Sequence, residues 1–313
     1  MAGIREIDLK LTELENEIYK AEKDQNDVEK LDDLHAEYDR NAAEASDLSA
    51  HDKLYLARNA RRPKIDDYIS ELFDDFFIQR GDLLGKEDPS ILGGIGAFHG
   101  MPVTVLGHRK GRNLEENLKY NFGMPEPEGY RKALRIMKQA EKFGRPIITF
   151  IDTPGAYPGM DAEEHGQSNA ISKNLFEMSA ITVPIISIVT GEGSSGGALA
   201  IGVANEVYML ENAVYSVLSP EGFASILWKD SSRADEACNL MKLTADDLYN
   251  FGVVDEVIKE PLGGAHHNPI YVYHEIDDIL VKALKKYKNM PGSEIAKHRY
   301  EKFRHIDRKE LES

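Results

Sequence analysis

Apolar positions follow two different periods along the chain. Ile4, Ile7, Leu11, Leu14 and Ile18 are spaced three and four apart, the stripe of a one-faced helix. The polar run KDQND (23–27) interrupts it, and Val28, Leu31, Leu34 and Tyr38 begin a second stripe. This predicts a helical hairpin over residues 1–42 with its charges in solvent. An apolar stripe must be buried, either on the rest of the chain or on a partner subunit.

From Met101 onward, short β-branched runs alternate with helical patterns. VTVLG (103–107), PIITFID (146–152), VPIISIVT (183–190) and EVYML (206–210) read as strands. Residues 127–144 read as a helix with proline at its start and Gly144 at its stop. Residues 162–181 read as another helix, and 243–258 as a helix capped by Thr244 and stopped by Gly252, then a strand. The alternation predicts an α/β domain with a largely parallel sheet over 43–290. Residues 272–313 read as charged helix with a fraying end, of which 291–313 form a helical tail.

Composition narrows the function classes. The formal charge of −16 argues against general nucleic-acid binding, which needs a basic surface. No apolar run reaches membrane-spanning length, and the start of the chain lacks a basic segment followed by an apolar core. A cytoplasmic setting is expected. The lone Cys238 can form neither an internal disulfide nor a cysteine-rich zinc site, and no metal is expected in this chain. One basic cluster stands out: Arg58, Arg61, Arg62 and Lys64, readable as a solvated turn or as a phosphate contact. Arg80-Gly81-Asp82 spells an adhesion tripeptide, treated as chance.

Candidate chemistry concentrates in GEGSSGGALAIG (191–202). Gly191, Gly193 and Gly196 fit a dinucleotide fingerprint, with Glu211 20 positions after Gly191 at the end of the next strand. The intervening helix has room for only about nine residues, short for that fold. Gly193, Ser195 and Gly197 fit a nucleophile elbow, with Asp255 and His266 or His267 as partners for Ser195. As a third reading, Gly196 and Gly197 place unpaired N–H groups at the start of an apolar helix, as an oxyanion hole does. A tight turn with glycines only for packing remains the fourth. FIDTPG (150–155) contains D-x-x-G, but no phosphate-cradling loop accompanies it, so it reads as a strand end followed by a loop.

Together these segments resemble one family. Residues 121–159, AEEHGQSNAI (162–171), GEGSSGGALAIG (191–202), YSVLSPEGFASILWKD (215–230) and EPLGGAHHNP (260–269) are similar to the α subunits of bacterial acetyl-CoA carboxylase carboxyltransferases. The resemblance covers nearly the whole chain. It implies a crotonase/ClpP-like superhelix of ββα units carrying the N-terminal hairpin. It implies transfer of a carboxyl group from carboxybiotin, on a biotin carboxyl carrier protein, to acetyl-CoA, giving malonyl-CoA for fatty acid biosynthesis. It implies an α2β2 assembly whose β subunit holds the zinc, and ATP use by a separate biotin carboxylase component. Gly196 and Gly197 then become the donors to the ureido oxygen of biotin. Gly155, Ala156 and Tyr157 line the biotin pocket, completed by Gly193, Ser194 and Ser195. Three positions depart from the family: Ser194 for glycine, His165 for arginine, and Arg80 for histidine.

Overall fold

The computed structural model describes residues 3–24 and 28–306. The first stripe forms α1 (Ile4–Asp24) and the second α2 (Val28–Ala43); the residues between them lie outside those described. Ile4, Ile7 and Leu11 are buried against Ala42, Ala45 and Leu56, so the stripe packs on its own chain. Helix α3 (Ala50–Ala57) opens with a capping box between Ser49 and Asp52. Helix α4 (Ile65–Leu72) leads to β1 (Asp74–Ile78), β2 (Ile91–Phe98) and β3 (Met101–His108).

Helices α5 (Leu114–Lys119) and α6 (Pro127–Lys142) precede β4 (Ile147–Thr153). Proline occupies the first turn of α6, where its missing N–H breaks no bond. The predicted helix over 162–181 is two: α7 (Met160–Glu164) and α8 (Gln167–Ala180). Gly166 separates them at φ +83°, a left-handed conformation that continues neither helix. Strand β5 spans Ile185–Ser194, four residues past the predicted end. The extra residues stay in the ladder because Gly193 pairs with Thr153 on one side and Tyr215 on the other.

Helix α9 (Ser195–Leu199) is only five residues long and contains the glycines predicted to precede it. Strands β6 (Glu206–Leu210) and β7 (Val214–Ser216) follow, then α10 (Pro220–Trp228), α11 (Ala234–Met241), α12 (Ala245–Asn250) and β8 (Glu256–Ile258). Thr244 caps α12 as its sequence predicts. The C-terminal stretch forms α13 (Pro269–Tyr287) and α14 (Gly292–His305), with Pro291 at the break; residues 307–313 of the predicted tail lie outside those described.

The sheet runs β1-β2-β3-β4-β5-β6-β8, with β7 paired to the far end of β5. The first three strands are antiparallel and the others parallel. Every residue of β4 and β5 is buried, as central parallel strands require. Neighbouring residues of β3 face opposite layers: Leu106 approaches Ile136 of α6, and Gly107 makes room for Ile65 of α4. Tyr68 of α4 stacks on Phe150 at 5.1 Å and meets Tyr273 of α13 edge-on. Arg299 of α14 is buried, and its guanidinium donates to the carbonyls of Met178, Ile181 and Val183 and to Asn205 Oδ1. Among the described residues no helix is long and apolar enough to cross a membrane.

Candidate active site

Two neighbouring parallel strands end side by side and release the two loops that matter. Beyond β4, the Thr153 hydroxyl accepts from the Gly155 N–H at 3.0 Å and donates to the Gly155 carbonyl at 2.8 Å. That holds Gly155 at φ +143°, a conformation L side chains rarely adopt. Beyond β5, Ser195 takes φ +56° and the chain turns directly into α9.

The two loops touch through backbone. A Cβ on Gly197 would lie 2.5 Å from both Gly155 C and Ala156 N, so only glycine fits. A Cβ on Gly196 would lie 3.4 Å from Ile171 Cγ2 of α8, ordinary contact. Ala156 and Ile171 pack with Tyr130, Ala170 and Ala200 behind them. The first N–H groups of a helix have no acceptor within it, and in α9 these belong to the glycine turn. Gly155, Ala156, Gly196 and Gly197 therefore meet at one place. Tyr157 follows directly, with its N–H donating to the Pro125 carbonyl at 3.0 Å. Its own carbonyl accepts from Gln167 Nε2 at 3.0 Å. Ser195 is exposed and Ser194 buried. Gly193 lies under the Tyr215 ring, 2.9 Å from where its Cβ would stand.

That packing removes the two rival readings of the turn. Gly191 and Gly193 belong to β5, and their missing side chains make room for the Asp152 carboxylate and the Tyr215 ring. No space is left there for a pyrophosphate. The hydrolase partners are committed elsewhere. Asp255 accepts from the Val207 N–H at 2.6 Å and pairs with Lys302. His266 and His267 both bond Asp8.

Buried charge underlies the turn. Asp152 accepts from Lys110 at 2.6 Å and from the Glu192 N–H at 3.1 Å. Burial alone would raise its pKa, but Lys110 and Lys64 outweigh it and hold the carboxyl below its ordinary value. Burial pushes Lys64 down to about 8. Of the basic cluster, Arg62 and Lys64 are buried, while the exposed Arg58 and Arg61 are each paired with carboxylates. Arg58 pairs with Glu192 (2.7 Å) and Glu221 (2.6 Å), and Arg61 with Glu15 (2.7 Å). Arg62 is buried, bidentate to Glu260 at 2.9 and 2.5 Å, and donates to the Thr190 carbonyl just before the turn. Asp82 of the Arg-Gly-Asp triplet is buried and accepts from Leu84 N, Lys86 N and Arg131. It is not displayed for adhesion. His165 pairs with Glu128 at 3.0 Å, and the Arg80 carbonyl accepts from Arg135. Cys238 is buried, and burial pushes its thiol up to about 11.

Asp8, His266 and His267 form a group of metal-ligating side chains whose candidate atoms lie within 4.8 Å of one another. Hydrogen bonding accounts for it. His267 places Nε2 3.1 Å from Asp8 Oδ1 and Nδ1 2.5 Å from Glu15 Oε1. Burial lowers its pKa, but the two carboxylates outweigh burial and raise it. The cluster pins α1 to the loop before α13.

The sequence pattern did not single out two participants, Ile171 beside Gly196 and His108. His108 Nε2 lies 3.2 Å from the Gly197 carbonyl. Ile171 closes the segment 162–171 but is an ordinary apolar position within it, His108 carries no local motif, and only the strand order brings His108 under the turn.

The mixed sheet with helices on both faces, its glycine turn facing a second strand-end loop, has the fold of solved transcarboxylase and acyl-CoA carboxylase structures. Transcarboxylase 12S, solved with hydrolysed methylmalonyl-coenzyme A bound, superposes with a TM-score of 0.60 at 20% identity. The match covers 76% of this chain and 44% of that one, so this chain spans less than half of it. The β subunit of P. aeruginosa geranyl-CoA carboxylase gives 0.57 at 14% identity, over 80% of this chain and 46% of its own.

The family model described as acetyl co-enzyme A carboxylase carboxyltransferase-like matches residues 2–307, and the chain belongs to that family. The acetyl-coenzyme A carboxylase carboxyl transferase subunit alpha of Geobacillus kaustophilus is 51% identical over 305 residues, 97% of this chain and 86% of its own. That of Listeria monocytogenes serotype 4b is 53% identical over 281 residues, 90% and 88%.

Proposed function

We propose that this chain is the α half of a cytoplasmic acetyl-CoA carboxylase carboxyltransferase. It works with a zinc-bearing β subunit in an α2β2 assembly. The reaction moves the carboxyl group of carboxybiotin, borne on a carrier protein, to acetyl-CoA and yields malonyl-CoA, the first committed step of fatty acid biosynthesis. ATP is used by a biotin carboxylase component, not by this chain. The catalytic unit is the α/β domain of residues 43–290, with the hairpin (1–42) and helical tail (291–313) attached.

The observation that carries the reading is the backbone cradle at the start of α9. Gly197 can hold no Cβ against Gly155 and Ala156, so the two strand-end loops pack backbone to backbone and hold the start of α9 against the facing loop. When bound, carboxybiotin would supply the carboxyl group, a base for the acetyl methyl proton and a ureido oxygen on which negative charge develops. The Gly196 and Gly197 N–H groups, fixed at a helix start, meet that charge without reorganising. Gly155, Ala156 and Tyr157 form the facing wall, and Gly193, Ser194 and Ser195 support the turn. No side-chain base on this subunit is required.

The test is malonyl-CoA formation from acetyl-CoA and carboxylated carrier, with this chain alone and with its cognate β subunit. Product is expected only with both. No product from a well-formed complex would overturn the reading.

A further inference from the structure

His108 is the last residue of β3, 2% exposed, and is used by nothing in the reaction described above. Its Nε2 lies 3.2 Å from the carbonyl oxygen of Gly197. A carbonyl can only accept, so the ring carries its proton on Nε2. That carbonyl needs an outside donor because α9 is so short. Ala200 N–H bonds the Gly196 carbonyl, and Ile201 N–H bonds Ala198 rather than Gly197. The Gly197 carbonyl is thereby left without its helical i+4 partner.

We propose that His108 is a positioning residue for the glycine turn: its Nε2–H holds the Gly197 carbonyl, which fixes the Gly197–Ala198 peptide plane and, through the Gly197 Cα it anchors, limits rotation of the adjoining plane that carries the Gly197 N–H. The inference rests on the oxyanion-hole reading. A donor hole works only if its donors do not reorient during reaction, and a five-residue helix bounded by Ser195 at positive φ has little rigidity of its own. The ring is suited to the task. Burial pushes its pKa down to about 4, while the nearby charges of Asp152 and Lys110 act in opposite directions. It therefore stays a neutral donor at working pH. Strand β3 lies next to β4 in the sheet, so one rigid layer carries His108 and the wall that Gly197 touches.

The experiment uses the α2β2 complex with acetyl-CoA and carboxylated carrier, and compares wild type with His108→Phe, His108→Gln, His108→Asn and Gly197→Ala. Phenylalanine keeps the volume and removes the donor; glutamine keeps a donor of similar reach; asparagine falls short. His108→Phe is expected to lower kcat by about tenfold to a hundredfold, with KM for both substrates within about threefold of wild type. Glutamine should restore most of the loss and asparagine should not. If the phenylalanine variant fails to fold, the glutamine–asparagine contrast in soluble complex decides. Equal activity of His108→Phe and wild type, or of glutamine and asparagine, would overturn the inference. So would a loss appearing as raised KM. The parent reading fails separately, through an inactive wild-type complex or a fully active Gly197→Ala.

Discussion

At Gly197 one methyl group separates a working turn from a displaced one. Its Cβ would lie 2.5 Å from backbone atoms of Gly155 and Ala156, which cannot swing aside like a flexible side chain. At Gly196 the same methyl meets only Ile171 Cγ2, at 3.4 Å. Gly196→Ala should therefore lower kcat by less than about tenfold, far less than alanine at 197, read from initial rates of the complex. Ser195 pays a conformational penalty at φ +56°. Ser195→Gly is predicted to raise stability by up to about 1 kcal/mol, measured by denaturant unfolding. The glycine pair was legible in the sequence as candidate donors. Its contact with Gly155 and the bond to His108 were not, because they join residues about 40 and 90 positions apart through the sheet order.

At the scale of elements, apolar period was a sound guide where burial is uniform. Strands β4 and β5 are buried throughout and read as continuous β-branched runs. The guide failed where local chemistry and tertiary pairing disagree. Gly-Glu-Gly-Ser looks like a turn, yet β4 and β7 flank it and keep it in the ladder to Ser194. In the other direction, one glycine broke an apolar helical pattern into α7 and α8. Gly166→Ala forces an L residue into the left-handed region at φ +83° and is expected to cost about 1 kcal/mol, read as a lower Tm.

Over the whole molecule, a chain of net charge −16 buries half of its basic cluster, Arg62 and Lys64. Arg62 and Glu260 are both fully buried, and Glu260 also accepts from the N–H groups of Asn212 and Ala265. Arg62→Met would strand that carboxylate and should cost about 3–5 kcal/mol, seen in denaturant unfolding. The cluster of Asp8, Glu15, His266 and His267 ties the hairpin to the loop before α13. The folded pKa of His267 lies above its ordinary value, so its bound proton stabilises the fold. That contribution is complete below about pH 6.5 and is lost as pH rises through the folded pKa. His266 is shifted down by burial and acts oppositely, losing stability as pH falls. His267→Gln should therefore lower Tm most at pH 6, by the equivalent of about 1–3 kcal/mol, and the gap from wild type should close toward pH 9. The apolar stripes of the hairpin were readable from the sequence. This polar latch was not, because Asp8 and His266 are 258 residues apart.

The most direct measurement is turnover of the reconstituted complex carrying Gly197→Ala beside one carrying Ser195→Ala, with assembly verified for both. A backbone oxyanion hole predicts that Gly197→Ala loses at least about a hundredfold in kcat, while Ser195→Ala stays within about threefold of wild type. Loss of activity at Ser195 with Gly197→Ala unaffected would contradict it and return the chemistry to the serine side chain.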